Sequence, residues 1–153
     1  MQKILVVQTA FIGDVVLATS LIENLHQQLP EVRIDILVRK GNESLFESHP
    51  FLNQVLVWDK KNNKYQNWVG LLFKIRSSQY DVVINAQRFA ATGAWTALSG
   101  AKIKIGFDKN PFSFLFTNSV VHQFSENGQH EIDRNHQLLS CLFEAKVAMP
   151  KLY

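Results

Sequence analysis

The sequence predicts an α/β fold, a doubly wound and mostly parallel sheet with helices on both faces. Three observations carry that reading. Short, β-rich apolar runs alternate with amphipathic helical patterns along the whole chain. The connections between successive strands are too long for hairpins, which argues for crossover units. A length of 153 residues suits one complete domain.

The elements follow in order. "KILVVQ" (3–8) is a continuous apolar run, the mark of a strand covered on both faces. Ala18, Leu21, Ile22, Leu25 and Leu29 then recur at helical spacing, with Glu23, Asn24, Gln27 and Gln28 predicted outside and Pro30 closing the helix. "RIDILV" (33–38) is the second strand, "NESLFES" a short helix, and "NQVLVWD" (53–59) the third strand. "KKNNK" reads as a solvated loop. A helix over 65–78 buries Trp68, Leu71, Leu72 and Ile75, and "YDVVINA" (80–86) makes a fourth strand. A small-residue helix (89–100), strands at 102–107 and 118–124, and a helix at 130–147 finish the chain. "NPFSFLF" (110–116) is expected in the core, with an exposed lipid-facing patch as the alternative.

Composition narrows the functional classes. Hydrophobic residues make up 46% and charged residues 19%, enough for a normal core. A net charge of +3 suits anionic ligands, but no dense Lys/Arg stripe suggests nucleic acid. Cys141 stands alone, which fits a reducing cytoplasm. Gln8, Thr9 and Asp14 interrupt the apolar start, so it is a strand rather than a signal peptide. No apolar run approaches the ~18 to 20 residues of a membrane span.

The common nucleotide and hydrolase motifs are missing. G-x-G-x-x-G, G-x-x-x-x-G-K-[ST] and G-x-S-x-G are all absent, and the five His show no zinc-ligand spacing, so no metal is expected. In an open α/β sheet, ligands gather outside the carboxyl ends of the strands. Four polar groups follow strands at that edge. They are Thr9 with Gly13 and Asp14, Gln87 with Arg88, Asp108 with Lys109, and His130 with Arg134. Asp14 has two readings, a helix cap or a catalytic carboxylate. Leu17 stands where a capping box would need Glu or Gln.

"KILVVQTAFIGDVVLATSLIENL", with its Gly-Asp step, resembles the opening of the bacterial lipopolysaccharide heptosyltransferases. The likeness continues through "YDVVINAQ", "GFDKNPFSFLFTN" and "HEIDRN", in the family's order. The succession is specific, whereas no single motif is. This resemblance implies the N-terminal half of a B-type glycosyltransferase, a single Rossmann-like acceptor-binding domain over 1–153. The ADP-sugar donor is expected to bind a C-terminal domain absent from this chain, so the fragment alone should hold no cofactor and be inactive. By resemblance Asp14 is the general base of an inverting transfer. Lys109 and Arg134 would be basic acceptor contacts, joined at the strand ends by Thr9, Gly13, Gln87, Arg88 and His130.

The implied partners are the lipid A/inner-core saccharide acceptor and the chain's own C-terminal domain, in the cytoplasm. A peripheral contact with the inner membrane is allowed. The family commonly has Gly after the Gln of "NAQ", and Arg88 stands there instead, which leaves acceptor identity open. Two other classes stay open as well: a Rossmann-like nucleotide-binding domain of another family, and a non-catalytic interaction module.

Overall fold

A computed structural model describes residues 3–120, 128–142 and 151–153, the side chains of 128–132 excepted. Its strands are β1 (Lys3–Val7), β2 (Arg33–Arg39), β3 (Leu52–Trp58), β4 (Val82–Asn85), β5 (Ile103–Phe107) and β6 (Asn118–Val120). They form one sheet in the order β3-β2-β1-β4-β5-β6, and every pairing is parallel. The helices are α1 (Ile12–Gln28), α2 (Lys64–Ser78), α3 (Ala90–Leu98) and α4 (Gly128–Leu139). The expected α/β class therefore holds, and the sheet is parallel throughout the described strands.

Strand period explains how the core divides. Ile4 and Val6 point to one face with Ile34, Ile36, Val82 and Ile84, where α1 and α4 cover them through Leu21, Ile22, Leu25, Leu138 and Leu139. Leu5 and Val7 point to the other face, under Leu71 and Ile75 of α2 and Trp95 of α3. Continuous apolar strands are what a sheet covered on both faces requires. Asp35 interrupts β2 but is satisfied, since Tyr80 Oη donates to it at 2.6 Å and Asn53 Nδ2 at 3.1 Å. Burial and that carboxylate push the Tyr80 hydroxyl well above its ordinary range.

Three expectations need correction. Glu23 and Asn24 are buried, because α4 packs over the side of α1 that spacing alone assigns to solvent. There Asn24 hydrogen-bonds the His136 ring, with Nδ2 2.6 Å from Nε2. Burial pushes the His136 imidazole down, with Asp133 opposing. The last helix starts two residues before the expected His130 and ends at Leu139 rather than running on, although positions 143–147 lie outside the described residues. "NPFSFLF" is not core. Phe114 and Leu115 are exposed, while Phe116 covers Gly106, where a Cβ would collide with its ring. The expected strand over 118–124 is seen as β6, its remainder lying outside the described residues.

One lock holds the loop after β5 in place. Asn110 donates from Nδ2 to the carbonyls of Phe89 (3.0 Å) and Gln87 (3.4 Å), and its Oδ1 accepts from the Phe112 N–H at 3.0 Å. Its carboxamide lies against Gly93 of α3, where a Cβ would overlap it. Gly93→Ala in an ordinary helix interior gains about 1 kcal/mol. Here overpacking costs about 1 to 3 kcal/mol, so a net loss of stability is expected in urea denaturation. A stabilised variant would show that Asn110 yields.

Candidate active site

The strand order reverses between β1 and β4, the switch point of a doubly wound sheet. At that reversal the two loops leave in opposite directions, so backbone groups just past the strand ends lose their ladder partners. Side chains replace them. Gln87 Oε1 accepts from both the Thr9 N–H (2.8 Å) and the Thr9 hydroxyl (2.7 Å), and Gln87's own N–H donates to Asn85 Oδ1 at 2.9 Å. Gln8 bridges the same seam, with Nε2 to the Ala86 carbonyl and Oε1 accepting from the Ala10 N–H. Thr9 and Gln87 are thus buried and committed to each other, and they shape the floor of the site.

Asp14 stands above this floor. Helix α1 starts at Ile12 with Phe11 at the cap position and no side-chain cap bond, so Asp14 is the third helical residue and not an N-cap. The capping reading is corrected. The helix dipole still favours a negative charge in this first turn. A Cβ at Gly13 would meet nothing within 4 Å, so the helix surface at the residue before Asp14 is open.

Arg134 of α4 is buried, and its guanidinium is pushed down by that burial and by the charge of Arg88, while Asp14 pulls it up. Asp14 and Arg88, from two separate segments, therefore both lie within electrostatic reach of Arg134. Lys109 is exposed beside the Asn110 lock. His130 falls in the first turn of α4, but its side chain lies outside the described residues.

A neighbouring cleft of about 250 Å³ was not anticipated from sequence. Arg39, Lys40, Gly41, Trp58, Asp59 and Lys60 contribute to its walls. Lys60, expected to be solvated, instead donates to the Thr9 carbonyl at 2.7 Å and lies over the Trp58 ring. Burial pushes its ammonium down, and the charges of Arg39 and Lys64 push the same way. Lys40 lies 3.6 Å from Asp59, whose carboxyl is held low chiefly by the backbone N–H groups of Asn62 and Lys61. The spot is cationic with an aromatic wall, suited to an anionic group. The strand-end rule, applied to β2 and β3 as well, points to it. Among the described residues, no group of three His, Cys, Asp or Glu could hold a metal ion.

The model of glycosyltransferase family 9 (heptosyltransferase) matches residues 68–153, more than half of the chain. The chain belongs to this family. It is 25% identical over 137 residues to lipopolysaccharide heptosyltransferase 3 of Escherichia coli, covering 86% of this chain and 40% of that protein. The chain thus spans about two fifths of that curated relative's length. A family 9 glycosyl transferase from Veillonella parvula superposes with a TM-score of 0.80 at 21% identity, over 98% of this chain and 45% of that one. An Escherichia coli heptosyltransferase solved with ADP gives 0.79 at 18%, over 98% and 50%. These superpositions establish a shared fold.

At the switch point the buried Thr9 N–H depends on one side-chain acceptor. Gln87→Leu would leave the buried Thr9 N–H without its acceptor, at a cost of about 1 to 3 kcal/mol in denaturation. An unchanged midpoint would mean that another acceptor takes over.

Proposed function

We propose that this chain binds the sugar acceptor of an inverting glycosyltransferase that moves a heptose from an ADP-sugar to the lipopolysaccharide inner core. The donor would occupy a second, C-terminal domain. The observation that carries the reading is Asp14, set in the first turn of α1 beside the switch point and acting on the buried Arg134 of α4. Solved Escherichia coli relatives bound to ADP and to ADP-2-deoxy-2-fluoro heptose support the donor class. Curated relatives that are lipopolysaccharide heptosyltransferases support the acceptor class.

In this reading an acceptor hydroxyl lies against the Asp14 carboxylate. Its oxygen attacks the anomeric carbon as the bond to the leaving ADP breaks, and its proton passes to Asp14. A carboxylate is a weak base, but the hydroxyl becomes acidic as its oxygen bonds to an electron-poor carbon, so the transfer is late. Arg88, Lys109 and Arg134 suit carboxylates or phosphates of the acceptor, with His130 on the same helix turn as a further contact. Thr9 and Gln87 hold the floor, and Gly13 leaves the approach open. The cleft of Arg39 and Lys60 to Lys61 extends this cationic lining.

Asp14→Asn tests the base. In the two-domain protein kcat should fall ~10²- to 10⁴-fold. Stability should change little, because Asp14 is not a cap. Near wild-type turnover with chemistry rate-limiting would remove Asp14 from the mechanism. For the cleft, the double variant Arg39→Gln/Lys61→Gln should raise the acceptor KM roughly tenfold or more with kcat retained, since a charge-assisted contact is worth about 1.5 to 3 kcal/mol. An unaltered KM would make these residues ordinary surface charges.

A further inference from the structure

Helix α2 buries one side and leaves an unusual other side. Leu71 and Ile75 face the sheet, while Tyr65, Val69 and Phe73 recur every fourth residue on the outer face, exposed by 80%, 44% and 68%. Scattered apolar residues on a surface are ordinary, but an aligned stripe is not. The charged residues of α2 are Lys64, Lys74 and Arg76, with no acid among them. Leu98 of α3 extends the apolar patch, joined by the Arg76 guanidinium, which donates to its carbonyl.

We propose that this face of α2 seats the chain on an anionic phospholipid surface. An apolar stripe flanked by Lys and Arg is the pattern of a helix lying in a bilayer interface, where the rings enter the acyl boundary and the cations meet phosphates. A groove that engulfs a helix does not fit, because the opposite side of α2 is fixed to the sheet and only a shallow convex face remains. A second copy fits poorly as well. A two-fold contact would set the same all-cationic helix against itself, with no acid on it to pair. Helix α2 also begins just after Lys60 and Lys61 of the cleft. A chain seated on α2 would hold that cleft close to the headgroups, within reach of an acceptor that stays anchored in the bilayer. The inference does not depend on the transferase reading.

The test is co-sedimentation of the purified chain with phosphatidylcholine vesicles, with and without about one third phosphatidylglycerol. Binding is expected to the anionic vesicles only and should be released by high salt. Lys64→Gln/Lys74→Gln should lower the partition roughly thirtyfold, taking about 1 kcal/mol per cation at the surface. Tyr65→Ser/Phe73→Ser should abolish it with an unchanged far-ultraviolet spectrum and melting profile. Arg33→Gln/Lys151→Gln, which removes two cations elsewhere, should bind like the wild type. Equal loss in that control would reveal unspecific charge attraction and overturn the proposal. So would full binding by the Tyr65/Phe73 variant, or a wild-type dimer in sedimentation velocity that this variant alone dissociates. Turnover enters none of these measurements, so the transferase reading and the lipid surface fail independently.

Discussion

The fold depends on how a parallel sheet closes its hydrogen bonds where its strand order reverses. At the end of β1 the Thr9 N–H points toward β4, but β4 has already turned away. Gln87 Oε1 replaces the missing carbonyl and takes the Thr9 hydroxyl as well. The Asn110 carboxamide does the same for the carbonyls of Gln87 and Phe89, drawing the loop after β5 into one assembly with the loops after β1 and β4. Buried backbone polar groups without partners are costly, so these side chains are constrained in type as well as position. The open surface above them then has a fixed shape.

On that floor the electrostatics are uneven. The cations at the strand ends greatly outnumber the acids, and the burial of Arg134 and Lys60 makes their charges harder to sustain. Asp14, set in the first turn of α1, is a negative group among them, as is Asp59 beside Lys40. The combination suits an anionic ligand.

Much of this was legible in the sequence, for physical reasons. Strands covered on both faces leave an unbroken apolar signature, so "KILVVQ" and "YDVVINA" announced themselves, and the strand-end rule then picked out Asp14, Gln87 and Arg88. Glu23 and Asn24 misled because local spacing cannot foresee that a helix more than a hundred residues later will cover them. Lys60 misled because a Lys-rich loop has the same composition whether its ammonium is solvated or bound to the Thr9 carbonyl. The Phe residues after Asn110 misled for the opposite reason. Apolar side chains within a short 3-10 turn on the surface need not find a core, and Phe114 does not.

Helix α1 deserves a mechanical view. It spans 17 residues, so it is a rod of ~25 Å with Asp14 at one tip. Its far half is held by the apolar contacts of Leu21, Ile22 and Leu25, and polar joints are added to them from the middle of the helix onward. Asn24 meets His136 of α4, Glu23 is buried, and Thr19 Oγ1 accepts from the Lys151 N–H at 3.0 Å. Directional joints add to the resistance to rotation that the packed core already supplies. A one-degree tilt about the far end would carry the carboxylate by ~0.4 Å, comparable with the ~0.5 Å tolerance of a working site. The aim of Asp14 is therefore set partly beyond the middle of its helix, by groups far from the carboxylate.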